Sequence, residues 1–191
     1  MSALKVGWAL CGSFCTFDRV MPVMERLAAS GAEVTPIFSE NAGKTDTRFG
    51  SAAGWIARAE QICGKKAILS IVDAEPIGPG GLFDILIVAP ATGNTLAKLA
   101  HAVTDTSVTM ACKSHLRGGR PVLIALSTND GLSGSAANIG SLMRRKNIFF
   151  VPFRQDDPAK KPYSLSADME SIPELLPAVM RGEQPGLAIN S

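Results

Sequence analysis

The stretch DILIVAPATGNT, from Asp84 to Thr95, decides how this chain folds. Asp84 to Ala89 is short and apolar on both faces, so it reads as a central, fully buried strand. Pro90 is expected to stop that strand. Thr92 and Asn94 then place side-chain donors and acceptors just before a helix that runs from Asn94 to Ala102. Asn94 or Thr95 serves as an ordinary helix cap on one reading. On the other, the segment from Ala89 to Thr95 grips a ring system or a phosphate.

Working outward, the same alternation recurs. Lys5 to Leu10 is apolar and closed by Gly12-Ser13, a first buried strand. Thr16 and Asp18 are candidate caps for the next helix, which tolerates Pro22 only in its first turn and ends at Gly31. Glu33 to Phe38 is a second strand, and Pro36 puts it at or near a sheet edge. Ala42 to Gly50 reads as a loop, and Ile56 to Cys63 as a helix stopped by Gly64. Lys66 to Val72 is a candidate short strand, followed by a turn-rich connector from Pro76 to Gly81. Beyond the central strand come a helix from Ser107 to His115, a strand from Pro121 to Leu126, a helix from Ala136 to Lys146 and a strand from Asn147 to Val151. Gln155 to Tyr163 is polar and proline-rich and reads as a loop before a last helix, Ala167 to Met180.

Strands alternating with helices give parallel strands joined by right-handed crossovers. The expected fold is therefore α/β, a three-layer, doubly wound, mostly parallel sheet of Rossmann-like form. It occupies residues 1–191 as one domain, with a C-terminal helix after about residue 165. Ligands of such sheets bind outside the carboxyl ends of the strands. Those ends carry Gly12-Ser13, Ser39-Glu40-Asn41, Pro90 to Thr95, and Ser127-Thr128-Asn129, all small or polar. This convergence is the main functional signal. The long segment Ser127 to Ser135 reads as a mobile, ligand-facing loop or as an ordinary flexible turn.

Composition removes several classes. Hydrophobic residues are 46% and charged residues 19%, with a net charge of +2, so the chain is neither disordered nor a nucleic-acid binder by charge. No apolar stretch is long enough for a membrane span, and the first apolar run reads straight into the fold rather than as a leader. Cys11, Cys15, Cys63 and Cys112 lack zinc or redox spacing, and two histidines, His101 and His115, make no metal set. The thiols are expected to be reduced and packed. The Gly12 loop is neither a phosphate-binding Walker loop nor a dinucleotide fingerprint. It reads equally as a tight turn with a serine cap or as an anion site, with Ser13 and Thr16 as hydroxyl donors. No nucleophile with an adjacent base is visible.

The Gly-Ser loop after the first strand, taken with Pro90-Ala91-Thr92-Gly93-Asn94-Thr95 after the central one, resembles the flavin-containing cysteine decarboxylase superfamily. A further motif of that group corresponds loosely to Ala102 to Thr106. The resemblance implies a flavoprotein with FMN near Gly12, Ser13, Ser39, Pro90, Thr92 and Asn94, with Ser127 and Asn129 added as cofactor contacts. It also implies homo-oligomers that complete the site between subunits. Further strings in loops, among them Thr47 to Gly50, Ser70 to Pro76, Ser127 to Asp130 and Lys160 to Pro162, resemble one branch of that superfamily. Its members are B subunits of a two-subunit oxidoreductase in spore-forming bacteria.

That branch implies a cytoplasmic protein of the sporulating mother cell. Its A subunit resembles a nicotinamide-binding dehydrogenase and carries NAD(P). The substrate is a dihydropyridine dicarboxylate from the lysine pathway. Asn94 and Thr92 are then expected beside the flavin or substrate, and Arg48, Lys98 and Lys113 to pair with the substrate carboxylates. The decarboxylases use a histidine shortly before the strand that ends in the Pro-Ala loop, but no histidine precedes His101 here. That difference disfavours decarboxylation. It leaves three readings: the oxidoreductase subunit, another FMN enzyme such as a cysteine decarboxylase or flavin prenyltransferase, and a non-catalytic subunit that holds substrate or partner.

Overall fold

A computed structural model of the chain describes residues 3–186. The sheet is built from β1 (Lys5–Leu10), β2 (Glu33–Phe38), β3 (Ile85–Ala91), β4 (Val122–Thr128), β5 (Ile148–Phe150), β6 (Phe153–Asp157) and β7 (Lys161–Ala167). Its path runs β2-β1-β3-β4-β7-β6, with β5 pairing the first half of β4. The pairs among β1 to β5 are parallel, while β7 joins the far end of β4 antiparallel and continues to β6. The parallel part thus has the doubly wound order 2-1-3-4-5, whose direction reverses between β1 and β3.

Alternation along the strands sorts side chains between two cores. Val6, Trp8 and Leu10 of β1 join Ile85, Ile87 and Ala89 of β3 beneath α1 (Phe17–Ala29), α3 (Ala52–Cys63) and α8 (Ile172–Met180). Leu86, Val88 and Ala91 face the opposite side, packing with α5 (Gly93–Ala100), α6 (Ser107–Arg117) and α7 (Ala136–Met143). Ala89 and Ala91 lie on opposite faces although they are two residues apart. The register with β4 slips between Val88 and Ala91, where three steps on β3 oppose two on β4. Pro90 brings no N–H to the ladder, so the strand bulges there instead of stopping, and it continues to Ala91. The Ala89–Pro90 peptide is cis. The buried indole of Trp8 donates to the Ala89 carbonyl at 2.9 Å.

Several expectations change. Gln155 to Tyr163 is the antiparallel hairpin of β6 and β7, closed by a turn in which Lys160 N–H donates to Asp157. Its polar composition reflects side chains that face water, while the backbone makes the pairing. Lys66 to Val72 holds no strand: Ile68 alone bridges the free edge of β2, exchanging backbone bonds with Phe38 and Pro36, and Ile71–Ala74 is a short helix, α4. Ala42 to Gly50 is not all loop, because α2 (Glu40–Lys44) begins it, capped by Ser39. Pro22 lies in the second turn of α1, after a 3-10 turn at Phe14–Thr16. The helices from Ala136 and Ala167 are shorter than expected, since α7 stops at Met143 and β7 extends to Ala167. Other readings hold: Pro36 lies on an edge strand and Gly64 closes α3 with a left-handed φ of 62°.

No helix among the described residues is long and apolar enough to cross a membrane, and they contain no group of three metal-ligating side chains. All four cysteines are free; Cys11 and Cys112 are buried and Cys15 is exposed.

His115 is fully buried at the end of α6, with Nε2 against the Pro121 carbonyl at 3.1 Å. Burial first, then Arg120, hold its pKa down to about 4 from 6.5. The unfolded chain therefore binds a proton between those values that the folded chain refuses, so stability falls as pH drops below about 6.5 and levels off near 4. Urea titrations across this window should show a loss approaching ~3 kcal/mol, and His115→Gln should flatten it. An unchanged slope in the variant would place the proton elsewhere.

Candidate functional site

The carboxyl ends of β1, β2, β3 and β4 meet at one rim of the sheet, around the reversal between β1 and β3. On the α1 side, three hydroxyls form a triangle. Ser13 Oγ lies 2.9 Å from Ser127 Oγ and 3.1 Å from Thr16 Oγ1, and Thr16 Oγ1 lies 3.1 Å from Ser127 Oγ. Ser13 and Thr16 occupy the cap positions of the 3-10 turn and of α1, yet neither hydroxyl caps its helix. They face each other and Ser127 across the end of the sheet instead. Hydroxyl donors beside a helix start suit an anion. The neighbouring Gly12 has room around it, since a Cβ there would meet nothing closer than Phe14 at 3.5 Å.

On the opposite side, Thr92 caps α5: its hydroxyl accepts from Thr95 N–H at 3.3 Å and lies 3.0 Å from Thr95 Oγ1. The cap is therefore Thr92, not Asn94 or Thr95. Asn94 sits one position into the helix, exposed, with no hydrogen bond from its side chain among the described residues. Across from it, the segment after β4 is ordered by Asp130. One Asp130 oxygen accepts from the Thr128 hydroxyl and from Ser135 Oγ at 2.8 Å, and the Asp130 carbonyl accepts from Ser133 and Ser135 N–H. Those two hydroxyls, Thr128 first, hold the Asp130 carboxyl below its usual range. Gly93 packs against this cluster so closely that a Cβ would lie 2.6 Å from Ser135 Oγ. Between α5 and this segment lies a cleft of about 340 Å³ lined by Thr92, Asn94, Asn129, Asp130 and Asn138. Asp130 is its one charged lining residue.

The rim thus gathers most of the expected cofactor residues. Ser39 caps α2 and donates its backbone N–H to Leu10, Pro90 accepts from Cys11 N–H at 3.1 Å, and Asn129 is exposed in the cleft wall. None of the three expected carboxylate partners lines the cleft. Lys98 is ion-paired with Asp105 at 2.9 Å. Lys113 is exposed on α6, six residues into the helix and so about 9 Å along its axis. Arg48 is exposed in the segment after α2, stacked 4.8 Å from the Phe49 ring centroid. Asp130 is the rim residue whose part is plain only in three dimensions. Cys11 lies beneath the rim with its thiol raised to about 11 by burial, so it is no thiolate nucleophile near neutral pH.

Known proteins share this architecture. The Flavoprotein family model matches residues 1–181. The chain is 46% identical over 187 residues to the B subunit of dipicolinate synthase from Bacillus subtilis, covering 96% of this chain and 94% of that protein. It superposes with a TM-score of 0.88 on the crystal structure of the B subunit of dipicolinate synthase from Bacillus halodurans, again at 46% identity and covering 96% and 94% of the two chains. The FMN-dependent cysteine decarboxylase SpaF shares the fold at 21% identity, with a TM-score of 0.67 over 94% of this chain and 97% of that one. By the extent of the family match and the identity along nearly the whole chain, this protein belongs to the Flavoprotein family.

Proposed function

We propose that this chain is the B subunit of a dipicolinate synthase, an oxidoreductase component that binds FMN at the rim between β1 and β3. The observation that carries this reading is the convergence there of Gly12, Ser13, Ser39, Pro90, Thr92, Asn94, Ser127 and Asn129, in a chain 46% identical to the B subunit of a dipicolinate synthase.

The residues present fit a flavin mononucleotide. The hydroxyl triangle of Ser13, Thr16 and Ser127, beside the uncapped start of α1, suits a phosphate. Thr92, Asn94 and Asn129 offer the side-chain amide and hydroxyl groups that a heteroaromatic edge requires. A bound flavin supplies a two-electron acceptor. The protein's part is to orient it: Asp130 fixes the segment after β4 through Thr128 and Ser135, and Gly93 lets α5 approach that segment. In this reading Asn94 and Thr92, which line the cleft, touch flavin or substrate. The conversion of a dihydrodipicolinate-type intermediate to dipicolinate is shared with a dehydrogenase-like A subunit that carries NAD(P). The protein works in the cytoplasm of a sporulating mother cell, as a homo-oligomer. No histidine stands before β3 to serve a decarboxylase.

Mixing the chain with an A subunit, a dihydrodipicolinate source, FMN and a nicotinamide cofactor should give dipicolinate, read by its ultraviolet absorbance. Full-rate product from this chain alone would remove the partner from the account. Thr16→Val is expected to weaken FMN binding at least tenfold in a fluorescence titration while leaving the unfolding free energy from urea titration within about 1 kcal/mol of the parent. Gly93→Ala should cost ~1–3 kcal/mol by overpacking and disturb the cleft; a variant as stable as the parent would show that the close approach is not needed.

A further inference from the structure

A second cleft opens on the α1 side of the same rim, about 400 Å³ in volume and lined by Arg19, Arg154, Ser166 and Ser171. The sheet register places it. Ser127 of β4 pairs with Ser166 of β7, and Ser166 pairs with Arg154 of β6. Directly paired residues share a face, so Ser166 and Arg154 lie on the face of Ser127 and its hydroxyl triangle. Two strand spacings separate Ser127 from Arg154, about 10 Å. Arg19 reaches the cleft from α1, three residues beyond Thr16. Among the described residues neither guanidinium has an ion-pair partner within 4.0 Å.

We infer that Arg19 and Arg154 form the subsite for the carboxylates of a planar dicarboxylate, with Ser166 as a hydroxyl donor; this rests on the reading of the chain as a component of a dipicolinate synthase. The charges of the two clefts select between them. The cleft beside Asn94 holds one charged residue, Asp130, and repels a dianion. In the second cleft the carboxylate of Asp156 is held by Lys161 at 2.6 Å, which leaves Asp168 as the one opposing charge against two guanidinium groups. Guanidinium forks match carboxylates in geometry as well as charge. The Asp168 side chain makes no hydrogen bond among the described residues, whereas its backbone bonds Pro152 and Ser171, so its charge can be removed without touching the fold.

The test is calorimetric titration of the full chain with pyridine-2,6-dicarboxylate. Arg19→Gln and Arg154→Gln should each weaken binding at least tenfold, and Asp168→Asn should tighten it severalfold. FMN titrations and melting temperatures should be unchanged in all three. Pyridine-2-carboxylate and inorganic phosphate, as competitors, should bind at least tenfold more weakly than the dicarboxylate. The site is overturned if both arginine variants bind like the parent, if phosphate competes equally, or if the parent shows no binding at millimolar dicarboxylate. The synthase assay with the A subunit separates this from the functional reading. Product formation with arginine-independent binding sinks the subsite alone. Arginine-dependent binding without any product upholds the subsite and sinks the functional reading.

Discussion

The irregularity of β3 at Pro90 is the constraint on which the rest of the site depends. Proline has no N–H to give the ladder, so the strand takes an extra residue between Val88 and Ala91. That residue changes the parity of the strand: Ala89 faces the core under α1 and Ala91 the core under α5 and α6. The chain therefore leaves the sheet toward the α5 side, and Thr92 caps a helix beginning at the point where the sheet reverses direction. The Ala89 carbonyl, at the irregular step, is satisfied by the indole of Trp8 inside the core. A buried carbonyl without that partner would cost about 1–3 kcal/mol.

From this follows the division of the rim into two unlike halves. Alternation on β4 sends Ser127 to the α1 side and Thr128 to the α5 side. Ser127 completes a hydroxyl triangle with the first loop, while Thr128 bonds Asp130 and so braces the segment opposite α5. Adjacent residues on one strand thus face two sides of the rim that differ in chemistry, one with hydroxyls beside a cleft lined by guanidinium groups and one with amides around a carboxylate. Direct pairing with β7 carries the first of these outward to Ser166 and Arg154. In the proposed account the hairpin extends the site.

Much of this is legible in the sequence, for a physical reason. Buried strands such as Lys5–Leu10 and Asp84–Ala89 carry their burial in composition, and the small and polar residues that soon follow, Gly12-Ser13 and Thr92-Gly93-Asn94, mark the strand ends at the rim. The hairpin is not legible. No residue of Phe153–Asp157 is fully buried and the first three of Lys161–Ala167 are exposed, so their side chains advertise a loop while their backbones pair. Sequence points to Asn94 or Thr95 as the helix cap, whereas Thr92 holds that place, because the strand bulges past Pro90 and turns into the helix at once. Arg48, Lys98 and Lys113 stand out as cations near polar loops. Ion pairing of Lys98 and the outward face of α6 for Lys113 are tertiary facts that no spacing reveals. Arg19 and Arg154 come from α1 and β6 to line one cleft, which neither position alone reveals.

The central claim is that the rim between β1 and β3 is the flavin site. A crystal structure of the chain grown with FMN tests it most directly. The account predicts phosphate density at the hydroxyls of Ser13 and Thr16, with the ring against Thr92 to Asn94. Clear density for the flavin at any other place, or none at a concentration that saturates its spectral change in solution, would contradict it.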